Sequence, residues 1–224
     1  MDWEALSLSL RLGLFTILVL LPVGIAVGRW LAFHDFPGKS AIEATAALPL
    51  VLPPTVLGYY LLVAFGAASP IGQLWHSAFD RPLVFTFEGL LLASIIFNVP
   101  FAVQPIQRGF EAIPREVREA AICCGMTPWK ALRTVEIPIA WPGILTGLVL
   151  SFSHTLGEFG IVLMVGGSIP TETRTIAIAI YDRVQAFDDR GAATMSALLL
   201  GFSLVSIALT FAFSRRIGRR LDRS

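Results

Sequence analysis

Two ionisable side chains that could take part in acid–base chemistry, His154 and Glu158, lie one helical turn apart in an apolar stretch. A histidine and a carboxylate at that spacing could relay a proton, or could hydrolyse a peptide bond with the help of a metal. Metallopeptidases need the order His-Glu-x-x-His, whereas the chain reads His-Thr-Leu-Gly-Glu from His154. We therefore assign Glu158 to a gate, or to pairing with Arg11, with His154 or with a backbone donor at a helix break.

Other catalytic and metal-binding motifs are missing from the sequence. The only cysteines, Cys123 and Cys124, are adjacent, whereas a metal site needs more ligands at wider spacing. No Gly-x4-Gly-Lys-[Ser/Thr] loop is present to hold nucleotide phosphates. The net charge of +1 provides no basic field for nucleic acid. We predict no catalytic residue, no metal and no nucleic-acid partner.

Polar or helix-breaking residues also interrupt two further apolar stretches. Asn98 lies in mid-stretch, where a polar side chain usually faces a bundle interior or a pathway, and an interhelical hydrogen bond is the alternative to a substrate contact. Pro53 and Pro54 remove helix donors, and a broken helix is tolerated in a membrane only inside a bundle or along a cavity. A simple kink is the other interpretation. We place Pro53, Pro54, Thr55, Asn98, His154 and Glu158 along a pathway or at a gate.

The elements that must position these residues are membrane-spanning helices. Only 15% of the residues are charged, and the charges are absent from long stretches that match the thickness of a bilayer. The sequence predicts a single all-α membrane domain over 1–224. Its five predicted spans are 7–30, 43–66, 88–107, 139–166 and 192–214.

The positions of the basic residues predict the orientation of the chain. Lys and Arg in short loops resist translocation and stay in the cytoplasm. One set of connections holds twelve of them: Arg29, Lys39, Arg108, Arg115, Arg118, Lys130, Arg133, Arg215, Arg216, Arg219, Arg220 and Arg223. The alternate set holds four: Arg81, Arg174, Arg183 and Arg190. The N-terminus is therefore expected outside and the C-terminus in the cytoplasm.

The predicted cytoplasmic loop 108–137 contains two short helices. The first follows Ile113-Pro114, has a face of small apolar residues and ends at Gly125. Thr127 caps the second helix and Pro128 occupies its first position, before Ile137-Pro138 stops it. An amphipathic hairpin resting on lipid headgroups is one interpretation. The small-residue face instead favours insertion into a groove on another protein.

This loop resembles the motif E-A-A-x3-G-x9 to 11-I-x-L-P of the permease subunits of ATP-binding-cassette importers. The matching residues are Glu119, Ala120, Ala121, Gly125, Ile137 and Pro138, with the last element shortened. In that family the loop forms a coupling helix that docks into a separate cytoplasmic ATPase. The resemblance implies the type I importer permease fold, and it implies that the partner ATPase binds the ATP and Mg while this subunit needs no cofactor.

Further stretches resemble the molybdate permease branch of that family over nearly the whole chain. They are FPGK at 36–39, LPLVLPPTVLGY at 48–59, LGEFG at 156–160 and IPTETRT at 169–175. The chain departs from relatives at Ser153-His154-Thr155, where an arginine is frequent. Tungstate and sulfate permeases are close relatives, so all three oxyanions are candidate substrates.

The resemblance implies a homodimeric, multi-pass subunit of the bacterial inner membrane that imports an oxyanion by alternating access. A periplasmic molybdate-binding protein would deliver the anion, and the predicted outer loop 167–190 would contact it through Thr171, Glu172 and Arg174. Membrane lipid and a second copy of the chain are further expected partners. The alternative from another class is an ion-coupled carrier that needs no ATPase.

Overall fold

A computed structural model describes residues 2–221, and the side chains of all of these except 206, 207 and 209–221. The described chain is helical. Its helices are α1 Trp3–Phe33, α2 Lys39–Val51, α3 Pro54–Phe65, α4 Pro70–Phe79, α5 Phe87–Glu111, α6 Arg115–Cys123, α7 Pro128–Ala131, α8 Ile137–Gly157, α9 Gly160–Gly166, α10 Ile176–Gln185 and α11 Asp189–Leu221. A π-helical turn, Leu132–Glu136, joins α7 to α8. Arg223 of the basic set lies outside the described residues.

Helices α1, α5 and α8 pack against one another and form the centre of the bundle. Their crossing is close because small residues stand at the contact. A Cβ at Gly143 of α8 would lie 2.5 Å from the Pro105 carbonyl oxygen of α5, and one at Gly109 would lie 2.9 Å from the Ala140 carbonyl oxygen. Small residues allow such backbone approach in membrane bundles, where apolar burial alone does not drive helices together.

Three of the described helices, Trp3–Phe33, Phe87–Glu111 and Pro128–Gly157, are long and apolar enough to cross a bilayer. The pair α2 and α3 makes a fourth span if its two halves, which meet at 110°, are counted together. The fifth predicted span, 192–214, lies within α11.

The predicted break in the second span is confirmed. Helix α2 ends at Val51, and α3 begins at Pro54, where a missing N–H removes no helical bond. The N–H groups of Val56 and Leu57 bond to the Pro53 carbonyl oxygen. Pro49, by contrast, lies inside α2 without ending it. The break is therefore sharp and is located at Leu52-Pro53.

The fourth predicted span, 139–166, is also divided. Helix α8 ends at Gly157, Glu158 is extended, and α9 begins at Gly160. Helix α9 packs against α3. The halves of two interrupted helices therefore pack together beside the α1, α5 and α8 centre.

The prediction that Ile137-Pro138 stops the second loop helix was wrong. The backbone remains helical from Pro128 to Gly157. Pro138 lacks an N–H, and in a regular α-helix its ring would press on the carbonyl of Thr134. The wider turn before it, in which the Ile137 N–H bonds to the Leu132 carbonyl oxygen, lets the helix accommodate the proline.

Candidate functional site

The two helix breaks lie against each other. A Cβ at Gly160, the first residue of α9, would stand 2.9 Å from the Cβ of Pro54 and 3.4 Å from the Thr55 nitrogen. One turn further along α3, a Cβ at Gly58 would stand 3.0 Å from the Met164 Cβ. The fold thus brings Pro53, Pro54 and Thr55 together with the segment that follows Glu158. These residues are more than a hundred positions apart in the sequence.

Glu158 binds the backbone at its own break. Its Oε1 accepts a hydrogen bond from the Ile161 N–H at 3.0 Å, and the residue is 8% exposed. The carboxylate thereby satisfies a free donor in the first turn of α9. Among the partners considered from the sequence, the backbone donor at a helix break is confirmed. Arg11 is exposed and lies over the Phe87 ring at 5.5 Å.

His154 faces the aromatic side chains of α5. Its ring stacks on Phe101 with 4.0 Å between centroids and lies 4.8 Å from the Phe97 centroid. Its Nδ1 is buried, and no described residue is within hydrogen-bonding distance. The imidazole is thus held between α5 and α8, one turn before the break. A role for His154 at the gate stays a prediction.

Asn98 lies in the centre of the bundle with no exposed surface. Its Nδ2 donates to the Ser94 carbonyl oxygen at 2.8 Å and to Thr155 Oγ1 of α8 at 3.1 Å. Ser94 Oγ in turn lies 3.0 Å from Thr16 Oγ1 of α1. The amide is part of a polar contact that joins α1, α5 and α8. This is the interhelical hydrogen bond that the sequence offered as the alternative to a substrate contact.

The coupling segment, which is the predicted cytoplasmic loop 108–137, has a buried side and an exposed side along α6. Ala121 is 6% exposed, whereas Glu119 and Ala120 are exposed, and Glu119 forms an ion pair with Arg115 at 2.7 Å. Ile122 is 69% exposed. Of the four consecutive residues 119–122, only Ala121 is buried, and the other three are accessible. Ile137 is half-buried and Pro138 exposed, beyond the π-helical turn.

The turn after α6 and the cap of α7 follow the sequence prediction. Gly125 adopts φ +71°, a left-handed conformation that ends α6 and that a Cβ would strain. Thr127 Oγ1 accepts from the Lys130 N–H at 3.3 Å, and Pro128 occupies the first turn of α7. These local features are confirmed.

One polar centre beside the coupling segment was not recognised from the sequence. Glu136, in the π-helical turn, is 4% exposed, and its Oε1 accepts from Arg29 Nη2 of α1 at 3.1 Å. Arg118 of α6 approaches the same oxygen at 3.9 Å. The only sequence signal was an acidic residue flanking an apolar run, which does not reveal partners on other helices.

The three outer residues differ in their surroundings. Thr171, with φ +68°, and Glu172 are exposed. Arg174 instead forms ion pairs with Asp182 of α10 at 3.0 Å and with Asp2 at 3.7 Å. Its guanidinium thus ties the outer loop to the start of α1. A contact of Thr171, Glu172 and Arg174 with a binding protein stays a prediction.

Within residues 2–221, no group of three or more His, Cys, Asp or Glu side chains is placed to hold a metal ion. Cys123 and Cys124 are both exposed at the end of α6. The candidate functional site has two parts. It consists of paired helix breaks in the bundle and an exposed helix between α5 and α8.

The sequence matches known transport proteins along nearly its whole length. Residues 21–223 match the family model described as binding-protein-dependent transport system inner membrane component. The molybdenum transport system permease protein ModB of Azotobacter vinelandii is 45% identical, over 96% of this chain and 95% of that protein. The ModB protein of Escherichia coli K12 is 34% identical, over 99% and 97%. The sulfate transport system permease protein CysT of Escherichia coli K12 is 31% identical, over 88% and 71%.

Solved structures with the same fold are importer membrane subunits. A bacterial transporter that imports the acidic polysaccharide alginate superposes with a TM-score of 0.74 at 18% identity, over 96% of this chain and 79% of that chain. The alginate transporter in complex with its pentasaccharide-bound periplasmic protein gives a TM-score of 0.69 at 18% identity, over 97% and 78%. At these identities the comparison establishes the fold alone.

Proposed function

Because this chain belongs to the family of binding-protein-dependent transport system inner membrane components, we propose that it is the membrane-spanning subunit of an ATP-driven molybdate importer. The subunit takes the anion from a periplasmic binding protein and releases it into the cytoplasm by alternating access. It is not an enzyme, since hydrolysis belongs to a separate ATPase that binds ATP and Mg.

The observation that carries the mechanism is the position of α6. This exposed helix joins α5 to the continuous α7–α8 segment, and both of those elements belong to the bundle centre. A cytoplasmic ATPase that grips Glu119, Ala120, Gly125 and their neighbours would therefore move two core helices as rigid bodies. Ile137 and Pro138 lie where that motion enters α8.

The pathway is proposed to run beside the two helix breaks. Backbone freed from helical bonding is tolerated at membrane depth where it lines a cavity or is buried in protein. Pro53, Pro54 and Thr55 with Glu158 would form the gate, since a small rotation at either break separates them. Asn98 and His154 support this region from the α5–α8 contact.

The full assembly consists of two copies of this chain, two ATPase subunits and the binding protein, in the bacterial cytoplasmic membrane. Five spans follow from the uncharged stretches, and an outer N-terminus and a cytoplasmic C-terminus follow from the basic residues, which would meet anionic lipid on the cytoplasmic side. Thr171, Glu172 and the Arg174 loop would face the binding protein.

Molybdate is favoured over sulfate because the ModB proteins match this chain more closely and over more of their length than CysT does. Both anions are tetrahedral and doubly charged, and tungstate shares this form. No cluster of cationic side chains lies in the described bundle centre, so selectivity is assigned mainly to the binding protein.

The test is uptake of labelled molybdate into proteoliposomes that contain this subunit with its ATPase and binding protein. Uptake should require ATP and the binding protein, and unlabelled tungstate should compete better than sulfate. Stronger competition by sulfate would assign the chain to the sulfate branch. Uptake by this chain alone, driven by an ion gradient, would replace the importer with a secondary carrier.

A further inference from the structure

Glu136 connects three elements through one carboxylate. It lies in the π-helical turn before α8, and Arg29 of α1 binds it with two donors, Nε to Oε2 at 2.5 Å and Nη2 to Oε1 at 3.1 Å. This is the two-pronged geometry in which a guanidinium fixes both the distance and the orientation of a carboxylate. The carboxyl side chain is 5% exposed. Screening by water therefore weakens this pair less than a surface pair.

Arg118 brings the coupling segment to the same carboxylate. Its Nε lies 3.9 Å from Glu136 Oε1, and its guanidinium carbon lies 3.5 Å above the Phe33 ring at the end of α1. Phe33 in turn packs edge-on against Phe110 of α5, with 5.9 Å between ring centroids. One side chain of α6 therefore contacts both α1 and the turn that leads into α8.

The rest of α6 is weakly attached to the bundle. Ala121 is its only buried residue, and a cavity of about 160 Å³ lies between α6 and α7, lined by Arg118, Ala121 and Glu136 among others. Most of the surface of α6 is exposed. The orientation of α6 relative to the bundle thus depends largely on Arg118 and Ala121.

From this geometry we propose that Glu136 is a positioning residue for energy coupling. Through Arg29 and Arg118 it makes α6 and the cytoplasmic ends of α1 and α8 move as one body. The inference rests on the proposed function, in which docking of the ATPase moves α6. Chain connectivity alone would transmit that motion only to α5 and α8, whereas the contacts of Glu136 transmit it to α1 as well. Glu136 is 4% exposed and too buried to touch the ATPase, so its effect on coupling must pass through Arg118 and Arg29.

A purely structural role predicts a different behaviour. A buried carboxylate that only stabilises the fold would, when removed, lower assembly, hydrolysis and uptake together, since an unpaired buried charge destabilises the whole protein. A coupling role leaves the complex assembled and changes the ratio of uptake to hydrolysis. That ratio separates the two roles.

The experiment measures molybdate uptake and ATP hydrolysis in the same proteoliposomes containing the complete transporter and its loaded binding protein. The variants are Glu136→Gln, Arg118→Gln and their double. The matched control is Asp35→Asn, which removes one carboxylate from the exposed pair with Lys39, where the nitrogen and oxygen are 3.3 Å apart. Wild-type protein without ATP-dependent uptake would refute the proposed function, whatever the variants do.

We expect each single variant to retain the ATPase and to lower uptake per ATP by about ten-fold, the size of a typical coupling between sites. The double variant should be no worse than Glu136→Gln alone, because Arg118→Gln removes only one of the two connections that Glu136 makes. The control should keep the wild-type ratio. An unchanged ratio in Glu136→Gln, or effects that multiply in the double variant, would overturn the proposal.

A further variant, Phe33→Leu, tests the proposal if the transporter that carries Glu136→Gln fails to assemble. Phe33→Leu removes the aromatic face that lies 3.5 Å from the Arg118 guanidinium carbon and 5.5 Å from that of Arg29. It keeps both donors of Arg29 and the Glu136 carboxylate, and it lies on α1 rather than on the docking helix. Phe33→Leu should lower uptake per ATP, as Arg118→Gln does. When the two substitutions are combined, their effects on this ratio should not multiply. A normal ratio in Phe33→Leu, with a reduced one in Arg118→Gln, would mean that Arg118 acts by touching the ATPase, and the proposal would fail.

Discussion

Gly160 lies directly against Pro54, so that a Cβ on the glycine would stand 2.9 Å from the Cβ of the proline. Each residue begins the second half of an interrupted helix, α9 and α3 respectively. The contact is possible only because Gly160 has no side chain. Two breaks that are far apart in the sequence therefore form one centre in the bundle.

Replacing Gly160 with valine should separate the two breaks. The new side chain would overlap Pro54, and overpacking of this kind typically costs about 1–3 kcal/mol. The cost applies only to the arrangement of the gate in which residue 160 contacts Pro54. We therefore expect ATP-dependent molybdate uptake to fall about ten-fold while the ATPase stays bound. Gly157→Val is the matched control, since no atom lies within 4 Å of a Cβ there. Equal uptake by both variants would contradict a gate at this contact.

Replacing Gly125 with valine should disturb the end of the coupling segment. Its φ of +71° is costly for a β-branched residue, although the surrounding space is open. We expect uptake and co-purification of the ATPase to decrease, with membrane insertion unchanged. Gly125→Asn should be much milder, because asparagine tolerates the left-handed conformation. If Asn and Val were equally harmful, the defect could not be assigned to backbone conformation.

Tryptophan at Ala120 and at Ala121 should act in different ways. At exposed Ala120 it should leave thermal stability unchanged and prevent binding of the ATPase, as measured by co-purification from detergent. At Ala121, which is 6% exposed, it should push α6 away from the bundle and also lower the unfolding temperature. Retained ATP-dependent uptake in both variants would refute the assignment of α6 as the coupling helix.

Alanine at Gly143 should destabilise the crossing of α5 and α8. Its Cβ would lie 2.5 Å from the Pro105 carbonyl oxygen and 2.8 Å from the Gly109 Cα, so the two backbones must separate. We expect a loss of about 1–3 kcal/mol in unfolding free energy, followed by thermal unfolding in detergent. Gly201→Ala, where a Cβ meets open space, should be neutral or slightly stabilising. Similar loss in both would argue against the close crossing.

Asp188 should give a pH-dependent contribution to stability at the start of α11. A backbone hydrogen bond from Gly191 at 2.9 Å and the side chain of Arg183 lower the pKa of Asp188 below its ordinary value of 3.8. Its contribution is therefore complete above about pH 4 and is lost as pH falls through the lowered pKa. Asp188→Ala should reduce the unfolding temperature by a constant amount between pH 5 and 8. A difference that changes within that range would contradict the assignment.

Local patterns in the sequence predicted many of the helix boundaries. Gly125, Thr127 and Pro128 define their turn and cap through their own backbone preferences. The break at Pro53 follows from missing donors. The sequence failed at Pro138, because a π-helical turn five residues long accommodates a proline that would stop a regular helix.

The sequence by itself determined the helical class, the membrane character and the resemblance to an importer subunit, since these depend on composition, periodicity and short motifs. Only the tertiary structure decided which charges and breaks meet. Arg29 reaches Glu136 where α1 meets the turn before α8, Arg174 reaches Asp2 at the start of α1, and Gly160 reaches Pro54 where α9 packs against α3. Such pairings depend on where helices cross, and no pattern along one helix contains that information.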